Sequence, residues 1–429
     1  MASSSSLASS SDSPAGAAPT APALSARAYG WMLALTIVAG VEVGLLLLDI
    51  SPILPLVRQQ YAVSYVAAGW AISATIVSHT LTVALAGFIA GRIGPRVIVL
   101  AGMMVLAASA VVRALASSFS VLVASRALTG IGTGCVIIGG ITAITLLSPP
   151  VRRVRDQGYF GAAQQLGVML TLLVVPVAIP VLGGRAYWGL LAAELTLVLA
   201  LCLVRYPAWR QPAHRQPRSA ATRAWPGLLL RDGYGWLLSL ANMAGYGVFV
   251  GVTAWTASFF VERFHTSPHQ TALLTAAATL FACIGRLAAS PLLRVVSAHW
   301  LISGFVTLTA ASLLAVPFAP TREAAAALFL GFALGSSVPF GAVFGSVADR
   351  LQPAGLSVRI MLITFNSNLV ALFLPVVIGF VVSLTGSFSA SFWLTGALVG
   401  IVAFVLGPSS VGRGQREVGL AAAEAGSVR

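Results

Sequence analysis

The strongest constraint on this chain is a series of twelve apolar runs, each about as long as a membrane-spanning helix, which needs roughly 20 apolar residues. Charged residues make up only 8% of the 429 residues, too few to cover the surface of a soluble protein of this length. The sequence therefore predicts an all-α membrane protein with twelve transmembrane helices. We place them at 31–57, 66–90, 97–115, 120–147, 158–182, 187–205, 235–262, 270–291, 299–319, 323–347, 359–384 and 389–408.

Three hydrophilic segments divide the chain. Residues 1–27 are rich in Ala, Ser and Pro, and they lack both periodicity and the pattern of a signal peptide, so we expect a retained, disordered tail. Residues 206–232 are rich in Pro and Arg and predict a linker between two six-helix halves, 28–205 and 233–408. The polar residues 409–429 predict a C-terminal tail.

The arginines are distributed unevenly between the two sides of the predicted bundle. Gaps that follow odd-numbered helices hold single arginines, and gaps that follow even-numbered helices hold clusters. Because cytoplasmic loops carry an excess of basic residues, we expect both termini and the linker in the cytoplasm, and the chain in the cytoplasmic (inner or plasma) membrane. The single residues are Arg58, Arg113, Arg185, Arg263 and Arg322, and the clusters include Arg92 with Arg96, Arg152 with Arg153 and Arg155, and Arg350 with Arg359.

Composition and motifs narrow the classes of function. The net charge of +14 is spread over helix ends, so we expect no nucleic-acid partner. Cys135, Cys202 and Cys283 lie inside apolar runs, which predicts neither a disulfide framework nor a metal site. The sequence holds no HExxH, GxSxG or P-loop motif, so we expect no bound cofactor and no catalytic residues. A membrane-embedded enzyme or sensor remains a remote alternative.

Residues 87–96 read Gly-Phe-Ile-Ala-Gly-Arg-Ile-Gly-Pro-Arg and lie between two apolar runs. Gly87, Gly91 and Gly94 allow close backbone approach and a tight turn. Arg92 and Arg96 place positive charge at one membrane face. The pattern predicts a short basic loop between helices 2 and 3, and a weaker copy follows about two hundred residues later at 290–299.

This loop and its copy resemble the major facilitator superfamily, whose loop between helices 2 and 3 carries Gly-x-Leu-Ala-Asp-Arg-x-Gly-Arg-Lys. Gly91 stands where the family has its Asp. The resemblance implies two halves related by an axis along the membrane normal, alternating access and a small-molecule substrate. It also implies that Arg92 and Arg96 latch the halves together in the outward-facing state by meeting helix ends and acids of the second half. We expect a monomer within the lipid bilayer.

Three ionisable residues are candidates for proton coupling, because charged groups inside a membrane are costly and are functional by default. Glu42 and Asp49 are seven residues apart, which places them on one face of helix 1. Asp49 and Arg126 lie at similar depths, roughly 12–13 Å from the outer helix ends, so they can pair. The run from Arg126, Arg-Ala-Leu-Thr-Gly-Ile-Gly, resembles the family's helix 4 signature, with Thr129 in place of Gln. The resemblance links Arg126 to proton transfer, and a static ion pair is the alternative.

Substrate binding is predicted on both halves. Arg286 on helix 8 suits an anion, although capping of neighbouring carbonyls or snorkelling to headgroups is equally open. The stretch from Tyr246 to Trp255 resembles helix 7 of the nitrate and cyanate branches of the superfamily. The nitrate branch has a second Arg on helix 2, where this chain has Val83. We therefore expect a small organic or inorganic anion, with proton-driven drug efflux as the alternative because Glu42 and Asp49 would suit a cationic drug.

Further polar residues within the runs have two interpretations each. His79 is a proton relay or, more simply, a histidine hydrogen-bonded to a neighbouring helix. Glu194 on helix 6 serves transport or pairs with a polar group of the first half. The amides line a substrate cavity or join helices; they are Gln164, Gln165, Asn366 and Asn368.

Overall fold

A computed structural model describes residues 24–207, 232–347 and 353–407. Within these ranges the chain is almost entirely helical and contains no β-strand. Twelve helices are long and apolar enough to cross a membrane, which confirms the predicted number. They are α1 (Ala26–Leu47), α2 (Tyr65–Ile93), α3 (Pro95–Ala114), α4 (Phe119–Leu147), α5 (Pro150–Leu182), α6 (Gly184–Arg205), α7 (Gly233–Phe264), α8 (Pro268–Leu292), α9 (Ala298–Ala315), α10 (Arg322–Ser346), α11 (Pro353–Thr385) and α12 (Phe388–Val405). The predicted linker and tails fall almost wholly outside the described residues.

Several helices extend further than their apolar runs predict, and in α5 and α2 the extension changes the position of predicted basic loops. α5 begins at Pro150, so Arg152, Arg153 and Arg155 lie in its first turns rather than in a loop. Proline suits the first position of a helix, where its missing N–H would be unpaired in any case. α2 continues to Ile93, so the predicted basic loop is reduced to the turn at Gly94. Both errors arise because a helix can leave the hydrocarbon region and continue as a polar segment.

The first six helices and the last six meet along two seams. α2 packs against α11, and α5 packs against α8. At the first seam, a Cβ on Gly87 would overlap the side chain of Met361. At the second, a Cβ on Gly161 would approach Phe340 to 2.6 Å and Arg286 Cδ to 2.9 Å. Glycine at these positions therefore permits helix contacts that any larger side chain would block.

These seams are tight at the end of the bundle where α1 begins and α12 ends, here called the terminal end. There Ile360 and Phe344 are 0% and 1% exposed. The bundle is therefore closed between its two sets of helices at the terminal end.

Candidate functional site

A cluster of three charged side chains lies near the end of the bundle opposite the terminal end. Both oxygens of Asp49 accept from guanidinium groups, Oδ1 from Arg126 and Oδ2 from Arg113. The side chains of the three residues are at most 1% exposed. The sequence-based expectation that Asp49 and Arg126 pair is thus met by the geometry. With Asp49 ionised, the cluster carries a net charge of +1.

Arg126 also explains why α1 ends where it does. Its Nη1 and Nη2 donate to the carbonyl oxygens of Leu46 and Leu47, each at 2.9 Å, and its Nε donates to Ala71 on α2 at 3.0 Å. The last carbonyl groups of a helix lack donors within the helix, and this guanidinium group donates to two of them. Because α1 ends at Leu47, Asp49 lies in a turn. The expectation that Asp49 shares a helical face with Glu42 was therefore wrong.

Arg113 is the member of the cluster that the sequence analysis missed. The distribution of arginines predicts a single arginine of an outer loop at this position, but Arg113 lies in the last turn of α3 and its side chain is 0% exposed. Besides Asp49, it donates to Thr129 on α4, and its guanidinium carbon lies 4.7 Å from the ring centroid of Trp188 on α6. Thr129, which replaces the family's Gln, thus contacts an arginine from a different helix.

A second acidic group lies apart from this cluster. Glu42 is 3% exposed, and its Oε2 has no hydrogen-bond partner among the described residues. Its carboxyl group faces that of Glu194 on α6, close enough for one to hydrogen-bond to the other. Of the two interpretations of Glu194, the structure shows the pairing with a polar group of the first half.

Arg286 lies within the seam between α5 and α8. It is 2% exposed, and its Nη1 donates to the carbonyl oxygen of Gly161 at 2.7 Å. Its guanidinium carbon lies 4.3 Å from the ring centroid of Phe340. The described residues offer it no carboxylate within 4.0 Å, and its Nε lacks a hydrogen-bond partner there. Carbonyl capping, one of the two alternatives, is therefore seen for one nitrogen only.

Other buried donors near this seam also lack acceptors. Gln164 and Gln165 follow Gly161 by about one turn of α5, and the Nε2 of each has no partner among the described residues. Tyr246 interacts electrostatically with Arg286 and lies in a π-helical turn of α7, Met243–Gly247. Such turns are frequent at functional sites. Unpaired amide donors thus lie on α5 one turn after Gly161, the residue that Arg286 contacts.

The remaining candidates contact neighbouring helices. The indole of Trp255 donates to Pro375 on α11 at 2.8 Å, and Asn366 donates to Ser239 on α7 at 2.8 Å. His79 Nδ1 lies 2.9 Å from the Thr133 hydroxyl on α4, the simpler of its two predicted roles. The structure therefore does not group Trp255, Asn366 or His79 with Arg286.

In the basic motif between α2 and α3, Arg96 does not make the contact with the second half that was expected of it. Gly94 has φ +85° and makes the predicted tight turn. Arg96 donates to the carbonyl oxygen of Leu203 at 3.2 Å, in the last turn of α6, so it contacts the first six helices rather than the second half. It does so because α3 packs on α6, whose last carbonyls are unpaired. The side chains of Gly91 and Arg92 lie outside the described residues.

Comparison of the sequence with known proteins identifies its family and several relatives. A sequence model of the Major Facilitator Superfamily matches residues 31–354. The chain is 25% identical to a probable sulfoacetate transporter of Cupriavidus necator, over 82% of this chain and 87% of the relative. It is 25% identical to a probable nitrate/nitrite antiporter of Thermus thermophilus over 51% of each chain. Other relatives are named for arabinose–proton symport and multidrug resistance.

Solved structures share the same fold. The human organic anion transporter MFSD10 superposes with a TM-score of 0.76 at 18% sequence identity, over 88% of this chain and 99% of that one. At this identity the likeness concerns the fold alone. The arrangement of twelve helices seen here is therefore one that known membrane transporters adopt.

Proposed function

The chain belongs to the major facilitator superfamily and is a multi-pass membrane transporter of small molecules, and from this premise we propose that its substrate is a small organic or inorganic anion moved together with protons. Transport proceeds by alternating access, with the seams α2–α11 and α5–α8 opening and closing in turn. Both termini face the cytoplasm, and the chain lies in the plasma membrane, as the distribution of arginines favours.

The observation that carries the proposal is the uncompensated charge of Arg286. A buried guanidinium without an acidic partner is costly unless an anion neutralises it. One turn along α5 from Gly161, Gln164 and Gln165 offer amide donors without acceptors among the described residues. A carboxylate or sulfonate supplies acceptors in the planar or tripod arrangement that a guanidinium prefers. The name of the sulfoacetate relative is consistent with this class of substrate.

The affinity for anions tests this assignment. Arg286→Gln should weaken binding of a sulfonate or carboxylate such as sulfoacetate about tenfold or more, since a hydrogen bond to a charged group contributes about 1.5–3 kcal/mol. Ligand-dependent thermal stabilisation of the purified protein measures it. Arg294→Gln is the matched control, because Arg294 is exposed just beyond the same helix. Equal affinity in both variants would make Arg286 a structural residue.

Proton coupling is assigned to Asp49, with Arg126 as its modulator. A proton on either oxygen of Asp49 competes with the guanidinium group from which that oxygen accepts, so proton binding is coupled to movement of the arginines. Burial favours a neutral carboxyl and a nearby arginine favours the carboxylate, so movement of Arg113 or Arg126 between conformations would load and release the proton. Glu42 is a second candidate carrier.

Replacement of Asp49 tests the coupling. Asp49→Asn cannot carry a proton, so uptake driven by a pH gradient in proteoliposomes should be lost while exchange of labelled substrate continues. Glu323→Gln is the control, since Glu323 is exposed and pairs with the neighbouring Arg322. Gradient-driven uptake at the wild-type rate in Asp49→Asn would assign the proton to another group.

Efflux of cationic drugs is the second candidate function. It depends on the acids of the first membrane span, Glu42 and Asp49, which a cation would need as partners. In this conformation Asp49 is held by two arginines, and Glu42 faces Glu194. Thermal stabilisation by lipophilic cations, together with an absence of stabilisation by anions, would favour efflux over anion transport.

A further inference from the structure

Glu194 lies on a face of α6 that is otherwise apolar and exposed. Leu190, Leu197 and Leu201 are 62%, 71% and 42% exposed and recur at helical spacing around it. α6 packs on α1, α3 and α5, which leaves this face to the surrounding lipid. Glu194 is ten residues from Gly184 and eleven from Arg205, about 15 Å from either end. Its carboxyl therefore lies near the middle of the bilayer.

Glu42 on α1 contacts this carboxyl group from the protein interior. It is almost fully buried, and its Oε2 has no hydrogen-bond partner among the described residues. The two carboxyl groups face each other across the groove between α1 and α6. Two carboxylates are acceptors only, so a hydrogen bond between them requires a proton.

Among the described residues, no arginine or histidine forms an ion pair with Glu42 or Glu194. Arg113 and Arg126, on the helices behind α1, both bind Asp49. Asp156, on α5, accepts from Tyr29, thirteen residues before Glu42 on α1, and from the neighbouring Arg155. An ionised pair in hydrocarbon without a cation is strongly disfavoured.

We propose that Glu42 and Glu194 bind a single proton between them, forming a proton site at the lipid-facing groove of α1 and α6 that is separate from the Asp49 cluster. One carboxyl donates its proton to the other, and the buried Oε2 of Glu42 gains a role in a shared hydrogen bond. If transport is proton-coupled, as proposed above, this site can carry the coupled proton. The existence of the site does not depend on that coupling or on the substrate.

A hydrophobic carbodiimide tests the proposal without any transport assay. The reagent dissolves in the membrane and reacts only with a protonated carboxyl: the proton passes to a carbodiimide nitrogen, the carboxyl oxygen bonds to the central carbon, and acyl migration to nitrogen leaves a stable acylurea. Ordinary carboxyl groups are ionised at neutral pH and do not react. We therefore expect Glu194 to gain one reagent molecule at neutral pH, as located by peptide mass spectrometry, and to lose this reactivity as the pH rises.

Variants distinguish two explanations for labelling of Glu194: a proton shared with Glu42, and exposure of Glu194 to lipid alone. Glu194→Gln should abolish the adduct, and Glu323→Gln should leave it unchanged. Glu42→Gln should lower the labelling of Glu194 at neutral pH at least severalfold, because glutamine removes the like charge and donates to the remaining carboxylate. Labelling that persists in Glu42→Gln would overturn the pair.

The wild-type protein provides a readout that does not depend on how the variants fold. Absence of labelling at neutral pH would overturn the proposal. Protection of Glu194 by sodium at constant pH would also overturn it, because the pair would then bind a metal cation rather than a proton. Labelling that depends on pH and not on sodium is the supporting result.

Discussion

At the scale of single residues, Arg113 supports the charged cluster as much as Arg126 does. Removal of Arg113 leaves Asp49 Oδ2 and Thr129 without the guanidinium group they contact, and a lost hydrogen bond to a charged group costs about 1.5–3 kcal/mol. Arg113→Gln should therefore lower the melting temperature of the purified protein in detergent by several degrees. Arg185→Gln, at an exposed arginine that begins α6, should leave it unchanged. Equal melting temperatures for the two variants would contradict the role of Arg113.

The difference between Arg113 and Arg126 shows which contacts of single residues can be predicted from the sequence. The pairing of Asp49 with Arg126 follows from counting residues along two helices from their outer ends. Arg113 lies near the end of its apolar run, where an arginine usually faces water. Its burial depends on Trp188, from α6, and on Asp49, from the turn after α1. Contacts between three segments of the chain cannot be obtained from the periodicity of one.

At the scale of helices, the crossing of α1 and α5 depends on two glycines. A Cβ on Gly167 would lie 2.8 Å from the Leu45 nitrogen and 2.9 Å from the Gly44 Cα. Gly167→Ala should therefore push the helices apart and destabilise the protein by about 1–3 kcal/mol, as overpacking does. The measurement is thermal unfolding, followed by circular dichroism.

Gly304 provides the matched control for this crossing. It lies within α9, and a Cβ there would meet nothing within 4 Å. Gly304→Ala should leave stability unchanged or raise it by up to about 1 kcal/mol, because alanine favours the helix. If both alanine variants behave alike, the close approach of α1 and α5 contributes nothing to stability.

Helix number and order follow from the sequence, but helix ends and neighbours do not. Twelve apolar runs predict twelve spans because the bilayer imposes their length. The length of an apolar run does not predict the polar first turns of α5, because they lie outside that run. The partner of Arg96 was also predicted wrongly, since the motif gives the charge but not which helix end lies beside it.

At the scale of the whole molecule, the seam of α5 and α8 must separate if the two ends open in turn. Cys283 on α8 lies against α5, with its Sγ 3.5 Å from the carbonyl oxygen of Ala162. In a background without Cys135 and Cys202, Ala162→Cys should form a disulfide with Cys283 on oxidation. The bond would hold the terminal end closed, so transport into proteoliposomes should stop and resume after reduction.

A parallel protein carrying Ala162→Cys and Cys283→Ser separates the effect of the bond from that of the oxidant, and it should transport equally before and after oxidation. Because Arg286 donates to Gly161 across the same seam, opening must break that hydrogen bond. An anion that binds Arg286 would then replace the carbonyl as the acceptor, which would couple substrate binding to the release of the seam. Full transport by the cross-linked protein would mean that this seam stays closed throughout the cycle, and that the anion reaches Arg286 without separating α5 from α8.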